Sequence, residues 1–271
     1  MIHVLLPVHN RRATSEAFAR ALARQDVDFH LLLVDDGSND GTADAVTAVL
    51  PDRTTVLRGT GTWWWGGALH QGWLWLKSHQ PGEDDVVFIC NDDVDIPDDF
   101  ISTGVSLLAA HSRSIIVAKA RNPENGALEE TCYTIDYRRC HVALVKPGEP
   151  VLCGPTRGLF IRWDDMRVVG GFHPRLIPHY LSDLEWTLRA RRHGLAIVQD
   201  DRLWLMPQPE KTGYHALTGL RLKERVKRMF SPKYAANPFH WCAFILLGFP
   251  PRYWLPALRR IGLWTIGGLR G

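Results

Sequence analysis

Continuous apolar runs alternate with amphipathic stretches along the first hundred residues of the chain. The runs at residues 2–8, 29–34 and 85–90 each end in polar residues, and residues 14–22 carry apolar side chains at helical spacing. A further helix is predicted over about 42–50 and a short strand near 54–57. Apolar strands separated by such helices are typical of a parallel sheet that is covered on both faces.

The start and stop signals of the helices are less uniform. Thr14 or Ser15 is predicted to cap the first helix, and Gly194 to end a helix over about 182–193. Residues 114–151 have the pattern of shorter strands and loops. From about residue 220 the chain becomes basic, aromatic and rich in proline, which indicates an appended helical segment.

Three polar clusters follow three of the predicted strands, at residues 7–11, 35–42 and 91–95. In open α/β sheets, ligands bind at the carboxyl ends of the strands. The spacing therefore predicts one site built from these three loops.

Composition limits the class of protein. A chain of 271 residues with 45% hydrophobic and 23% charged residues fits one globular domain with a small appendage. A net charge of +3 is too small to indicate a nucleic-acid partner. Five cysteines without paired short spacing disfavour a disulfide framework or a structural zinc site and fit a reducing cytoplasm. No secretory leader is recognisable, and the longest apolar run, 241–249, is too short to cross a bilayer, so no membrane span is expected.

Two of the clusters carry recognisable chemistry. The strand end at residues 88–95 brings several oxygen ligands together, which suits Mg²⁺ or Mn²⁺, although a solvated acidic turn is an equal alternative from this segment alone. The segment at 34–42, with sequence VDDGSNDGT, has carboxylates that can bind a base or ribose. The same residues also build a turn and a helix cap, and both interpretations are expected to hold together.

The order of the motifs resembles that of family 2 glycosyltransferases, which have the GT-A fold. The resemblance covers roughly the first 215 residues and rests on segments 5–10, 34–42, 65–72, 91–93, 154–161, 170–172 and 178–191. It implies an α/β catalytic domain over residues 1–219, with a nucleotide-binding half at about 1–113 and an acceptor half at 114–219, followed by a tail at 220–271.

The resemblance also implies the residues that bind the donor. Asp35 or Asp36 would bond the base, and Gly67 and His70 would lie along the nucleotide. The remaining predicted donor-binding residues are Pro7, Val8, Asn10, Asn91 and Asp92.

A divalent metal, Mg²⁺ or Mn²⁺, is implied at the acidic strand end. Asp93 matches the second acid of the family's D-x-D motif and is expected to bind the metal directly. Asn91 stands where many members have the first acid, and this departure lowers the expected affinity or shifts the metal toward Asp95. His215 matches a late histidine that approaches the metal or diphosphate in many members.

Asp183 matches the family's catalytic base, although Ser182 replaces the usual preceding glutamate. From position alone, a helix cap would be the preferred role for Asp183. The acceptor-binding residues are predicted to be Gly158, Glu185 and Trp186.

The predicted function is inverting transfer of a hexosyl or rhamnosyl group from a UDP- or dTDP-sugar to a glycan or lipid-linked acceptor in bacterial surface-polysaccharide synthesis. A sugar-1-phosphate nucleotidyltransferase is one alternative, but residues 5–16 lack its glycine-rich loop. A catalytically silent nucleotide-sugar-binding scaffold is another. The basic, aromatic tail suits the inner face of an anionic membrane, a helical bundle on the catalytic domain, or a dimer contact.

Overall fold

The protein is a layered α/β structure, known here from a computed structural model that describes residues 1–208, 217 and 219–270. The strands within these residues are β1 (Ile2–Val8), β2 (His30–Asp35), β3 (Thr54–Arg58), β4 (Val86–Ile89), β5 (Val94–Asp95), β6 (Ser114–Val117), β7 (Lys119–Arg121), β8 (Leu128–Glu129), β9 (Tyr133–Asp136), β10 (His141–Leu144), β11 (Leu159–Arg162), β12 (Ala196–Val198) and β13 (Trp204–Pro207). The helices are α1 (Arg12–Ala23), α2 (Thr42–Val49), α3 (Trp64–His79), α4 (Phe100–Ala110), α5 (Trp163–Val169), α6 (Ser182–Arg192), α7 (Leu222–Met229), α8 (Pro238–Gly248) and α9 (Trp254–Arg270).

The central sheet has seven strands in the order β12-β6-β11-β4-β1-β2-β3. Only β11 runs antiparallel to its neighbours, β4 and β6, so the sheet is mostly parallel as predicted. A second sheet, β5-β13-β7-β8, and the hairpin of β9 and β10 lie beside the central sheet in the fold. The mostly parallel α/β architecture and the helical C-terminal segment are confirmed.

Both faces of the central strands are buried, which explains why their sequences are apolar throughout. In β1, Val4 and Leu6 pack with α1, α2 and α4 on one face, whereas Leu5 packs with α3, α5 and α6 on the other. The strands β2 and β4 divide their side chains in the same way.

A glycine lets α3 lie directly on this sheet. A Cβ atom at Gly72 would come within 2.2 Å of the Cδ1 atom of Leu5. The helix can therefore approach β1 only with a residue that has no side chain at this position.

The prediction that Thr14 or Ser15 caps the first helix is wrong. Helix α1 begins at Arg12, and its cap residue, Arg11, makes no side-chain capping bond. Ser15 lies inside the helix, is fully buried, and donates from Oγ to the Asp92 carboxylate at 2.6 Å. The Ser15 hydroxyl was expected to accept a bond from the helix backbone, but it donates to the acidic loop after β4.

The C-terminal helices α8 and α9 pack with β9 and α6. Phe244 of α8 and Ile261 of α9 are buried in a third core with Ile135 and Leu188, and Asn237 caps α8 by accepting bonds from two backbone N–H groups. Within the part of the chain that the structure describes, no helix combines the length and the apolar character needed to cross a bilayer.

Candidate active site

The loops after β1 and β2 are joined by side chains of the first loop. Asn10 adopts a left-handed backbone (φ 50°), its N–H donates to Ser38 Oγ at 2.8 Å, and its Oδ1 accepts from the backbone N–H of Asn39 at 2.9 Å. His9 Nδ1 lies 2.7 Å from the carbonyl oxygen of Asp36. Pro7 and Val8 are buried beneath this junction. Asn10 is thus brought to the second loop, as one pocket would require.

The two acids at the end of β2 have different roles. The Asp36 carboxylate accepts three backbone bonds, from Gly61, Trp63 and Trp64, at 2.8 to 3.0 Å. It therefore shapes the loop before α3. Among the described residues, the Asp35 carboxylate accepts only from the Ser38 backbone N–H, and it borders a shallow cavity of about 200 Å³ that Arg58 also lines. Both acids are buried, and Asp35 is the one that borders a cavity.

Helix α3 carries the next predicted residues, Gly67 and His70. A Cβ atom at Gly67 would meet Trp63 at 3.1 Å, so the helix is closely packed there. His70 stacks on Trp73 at 5.7 Å and packs against Gly171, and its buried Nδ1 has no hydrogen-bond partner among the described residues. Burial lowers the pKa of His70, which favours the neutral ring. The contacts of His70 are thus with the loop before α6.

The acidic cluster lies directly after β4. Asp92 is 3% exposed, and it accepts from Ser15 Oγ at 2.6 Å and pairs with Arg11 Nε at 3.1 Å. Burial raises the pKa of Asp92, while the Arg11 charge and the Ser15 bond oppose the rise. Asp92 is therefore an internal, fully bonded carboxylate that is not open to a donor.

Asn91 and Asp93 differ from Asp92 in having an unused oxygen. The Oδ1 atoms of both residues are buried and have no hydrogen-bond partner among the described residues. Two free oxygens on neighbouring residues fit a Mg²⁺ or Mn²⁺ ion, which usually takes one or two protein ligands and completes its shell with phosphates and water. Within the described ranges, no group of three or more His, Cys, Asp or Glu residues is arranged to hold a metal ion.

Asp95, another predicted metal ligand, differs from this pair in its surroundings. Asp95 is exposed and accepts from Gln208 Nε2 at 3.3 Å. The backbone N–H of Gln208 also donates to the carbonyl of Asp93 at 2.9 Å. His215 lies outside the described residues.

Residues 154–158 connect the end of β4 to the start of α6. The N–H of Gly158 donates to the Ile89 carbonyl at 3.1 Å, and the N–H of Gly154 donates to Thr187 Oγ1 at 3.0 Å. Between these anchors, the backbone N–H of Thr156 bonds the Asp183 carboxylate. Asp183 therefore stands at the same edge of the sheet as the acidic cluster, with one short segment between them.

The environment of Asp183 suits a proton acceptor. Burial raises the pKa of Asp183 to about 6, although the N–H of Leu184, at 3.0 Å, and the charge of Arg157 favour the ionised form. The cap residue of α6 is Leu181, and within its own helix the Asp183 carboxylate accepts only from the adjacent N–H of Leu184. A carboxyl group with this pKa is mostly ionised at neutral pH and still basic enough to take a proton.

The comparison with protein families decides the identity of the chain. The model of glycosyl transferase family 2 matches residues 3–164, which is more than half of the sequence. The chain belongs to glycosyltransferase family 2. No curated protein sequence matches it significantly.

Solved structures place this glycosyltransferase in the GT-A fold. A mannosyltransferase from Pyrobaculum calidifontis, in complex with GDP-Man and Mn²⁺, is 18% identical with a TM-score of 0.63, over 99% of this chain and 72% of its own. TarS 1-349 of S. aureus with UDP-GlcNAc is 14% identical with a TM-score of 0.58, over 96% and 80%. GalNAc-T7 with UDP, GalNAc and Mn²⁺ is 13% identical with a TM-score of 0.64, and the chain spans only about half of its length (96% and 53%).

Two of the three predicted acceptor residues of the glycosyltransferase, Glu185 and Trp186, have buried side chains. Trp186 is fully buried, stacks on Phe172 and donates from Nε1 to the Gly170 carbonyl at 2.8 Å, so it is a core residue. The Glu185 carboxylate is 1% exposed and is held by Arg189 at 2.9 Å. Both were predicted to bind the acceptor, but α6 turns them inward.

Gly158 also has a structural role in the glycosyltransferase. It is buried with φ +78°, and a Cβ atom there would lie 2.8 Å from a Leu205 methyl group and 2.9 Å from Ala118. Its conformation and packing therefore shape the segment that holds Asp183.

Several residues near the site were not predicted as functional. Arg11 bridges Asp92 and Asp93. Trp65 donates from Nε1 to Thr156 Oγ1 at 3.3 Å. Tyr133 lies close to Asp183, and burial together with the Asp183 charge raises the pKa of Tyr133. The sequence did contain a signal for Arg11, because it is the last residue of the polar cluster at 7–11 that follows β1. Nothing in the local sequence marks Tyr133, because only the tertiary fold brings it to Asp183.

Proposed function

We propose that this glycosyltransferase transfers a sugar from a nucleoside diphosphate donor to an acceptor hydroxyl with inversion at the anomeric carbon. The observation that supports it best is the placement of Asp183, whose pKa is raised to about 6, at the sheet edge that also holds Asn91 and Asp93. The structural neighbours were solved with GDP-Man, UDP-GlcNAc or UDP, and donors of this class, UDP- or dTDP-sugars, are proposed here.

The donor would lie across the loops after β1, β2 and β4. The base would meet Asp35 beside Asn10, and the diphosphate would extend toward Asn91 and Asp93. A divalent cation held by Asn91 and Asp93 would neutralise the charge that grows on the departing diphosphate. Asp95 and His215 stay proposed ligands, and Gly67 and His70 stay proposed donor contacts.

Asp183 would then act on the acceptor. As the acceptor oxygen attacks the anomeric carbon, its proton passes to an Asp183 oxygen. The new carbon–oxygen bond forms on the face opposite the leaving group, and the bond to the diphosphate breaks with its electron pair. The backbone N–H of Thr156 would keep the Asp183 carboxylate in place, and Trp65 anchors Thr156 through its hydroxyl.

The test separates binding from transfer. Asp183→Asn is expected to bind donor and Mn²⁺ as the wild type does while losing transfer by about 10²- to 10⁴-fold, because a general base typically contributes that much. Asp93→Ala is expected to lose both. Thermal shift with candidate nucleotide sugars and Mn²⁺ measures binding, and released nucleoside diphosphate measures transfer. Asp164→Asn, an exposed acid in α5, is the control. Full turnover by Asp183→Asn would overturn the assignment.

The acceptor is proposed to be membrane-linked. The segment 219–271 contains ten Lys or Arg residues and a single acidic one, Glu224. In α9, Ala257 and Ile261 face the protein core, whereas Leu255, Leu263 and Ile266 are 80%, 60% and 48% exposed. A basic surface with protruding apolar side chains suits an anionic bilayer. The proposal of a hexosyl- or rhamnosyltransferase of bacterial surface glycans at the inner face of the plasma membrane rests on this surface and on the family.

A further inference from the structure

The guanidinium of Arg11 lies across the two acids that follow β4. Its Nε is 3.1 Å from Asp92 Oδ1 and its Nη2 is 3.0 Å from Asp93 Oδ2. The backbone N–H of Arg11 donates to Thr42 Oγ1 at 3.0 Å, so the residue is also fixed to the loop after β2. Arg11 therefore joins the three loops of the site, through its side chain to the acids after β4 and through its backbone N–H to Thr42.

The two acids that Arg11 contacts are not equivalent. Both Asp92 oxygens are used, one by Arg11 and the other by Ser15, and the carboxylate is almost fully buried. Asp93 uses only Oδ2 for Arg11, and its Oδ1, like Asn91 Oδ1, is buried without a hydrogen-bond partner among the described residues. Arg11 thus stabilises a structural anion with one nitrogen and neutralises the candidate metal ligand with another.

This pairing lowers the charge available to a cation. Asn91 is neutral, and the single charge of Asp93 is shared with a guanidinium at 3.0 Å. A positive group so close to a metal ligand repels a divalent ion and competes for its oxygen. The side chain of Arg11 is 33% exposed, and a guanidinium has five N–H donors, so it can also contact a diphosphate, which such a group binds well.

We propose that Arg11 is a resident counter-ion that keeps metal affinity weak until the donor diphosphate arrives. The guanidinium of Arg11 then pairs with the diphosphate instead of Asp93, and the diphosphate oxygens serve as further metal ligands. The metal and the donor therefore bind together. Because coupling between two ligands is reciprocal, the metal then raises donor affinity by the same factor. This inference rests on the proposed metal site at Asp93.

The experiment measures Mn²⁺ binding to the full chain by calorimetry, with and without UDP and, in a parallel series, dTDP. Arg11→Met is expected to bind Mn²⁺ about tenfold more tightly than the wild type without nucleotide. The ratio of the Mn²⁺ dissociation constants without and with nucleotide is expected to fall. Arg11→Lys, which keeps the charge but lacks the two-pronged geometry, is expected to stay near the wild type. Arg12→Met, at the exposed neighbouring position, is the control and should not change either quantity.

A second pair of variants guards against misfolding, because Arg11→Met leaves Asp92 buried without its charge partner. Asp92→Asn and the double variant Arg11→Met with Asp92→Asn differ only at Arg11, and the double variant should again bind Mn²⁺ more tightly. Unchanged or weaker Mn²⁺ binding in that folded double variant would overturn the counter-ion role. If instead Asp93→Ala bound Mn²⁺ and nucleotide like the wild type, the metal site of the proposed function would fail, and the inference with it.

Discussion

At the scale of single residues, the site depends on carboxyl groups whose surroundings set them apart. The Asp36 carboxylate accepts hydrogen bonds from the backbone of the loop before α3, and the Asp92 carboxylate is bonded to Ser15 and Arg11. Asp183 is held by backbone N–H groups, but its pKa is nevertheless raised to about 6 because burial outweighs them. Residue identity alone would not separate these acids, since each is an aspartate after a strand or at a helix start.

The pKa of Asp183 predicts how activity depends on pH. The base must be ionised to accept a proton, so kcat/KM is expected to fall about tenfold per pH unit below about pH 6. The pH profile of kcat/KM measures this limb. A profile that stays flat from pH 7 down to pH 5 would contradict the assignment of Asp183 as the base.

The same pKa predicts an effect on stability. Because the folded state holds the Asp183 proton more tightly than the unfolded state, ionisation destabilises the fold as pH rises from about 4 through about 6. Asp183→Asn is therefore expected to be more stable than the wild type by ~1–3 kcal/mol at pH 8. The two proteins should be nearly equal at pH 4. Denaturant unfolding at both pH values checks the sign, and a less stable variant at pH 8 would contradict it.

At the scale of elements, the strands were predictable because burial on both faces leaves an unbroken apolar run. The prediction for β1 is confirmed residue for residue, and β2 and β4 lie within one residue at each end. The helix faces were less predictable. Trp186 was predicted to bind the acceptor, yet α6 directs its side chain into the core. Sequence order does not reveal which side of a short helix meets the sheet.

The contact between α3 and β1 gives a test at this scale. Gly72→Ala places a methyl group 2.2 Å from Leu5 Cδ1, in a core that has no room for it. We expect a loss of about 1–3 kcal/mol of unfolding free energy, as overpacked cores show. Gly262→Ala in α9 has open space around its Cβ, and it should be neutral or slightly stabilising. Equal stability of the two variants in urea unfolding would show that α3 does not lie on β1 in this way.

At the scale of the whole molecule, the C-terminal tail has a buried inner face and an exposed outer face. Phe244 and Ile261 pack with Leu188 of α6, the helix that carries Asp183, while the outer face of α9 keeps its apolar side chains exposed. The sequence showed the basic and aromatic character of the tail but left bundle, dimer and membrane open, because composition does not say which side chains are covered. The structure accounts for the inner face, and the bilayer proposal concerns the outer one.

Vesicle flotation tests the outer face. The wild type is expected to float with vesicles rich in anionic lipid but not with neutral ones, whereas a variant with Leu255, Leu263 and Ile266 changed to serine should stay largely unbound. Changing Leu144 and Val168, which are similarly exposed elsewhere, to serine is the matched control. Equal flotation of both variants would contradict the bilayer proposal. So would a dimer, at the protein concentration of the assay, in which a second copy of the chain covers this face of α9.

The central claim is that one cleft contains both the metal ligand Asp93 and the base Asp183. Crystals soaked with Mn²⁺ and UDP or dTDP, measured at the manganese absorption edge, test it most directly. The account predicts one anomalous peak at the oxygens of Asn91 and Asp93, with the diphosphate on it and open space leading to Asp183. A peak away from Asp93, or a diphosphate that Asp183 cannot reach across one sugar, would contradict the account.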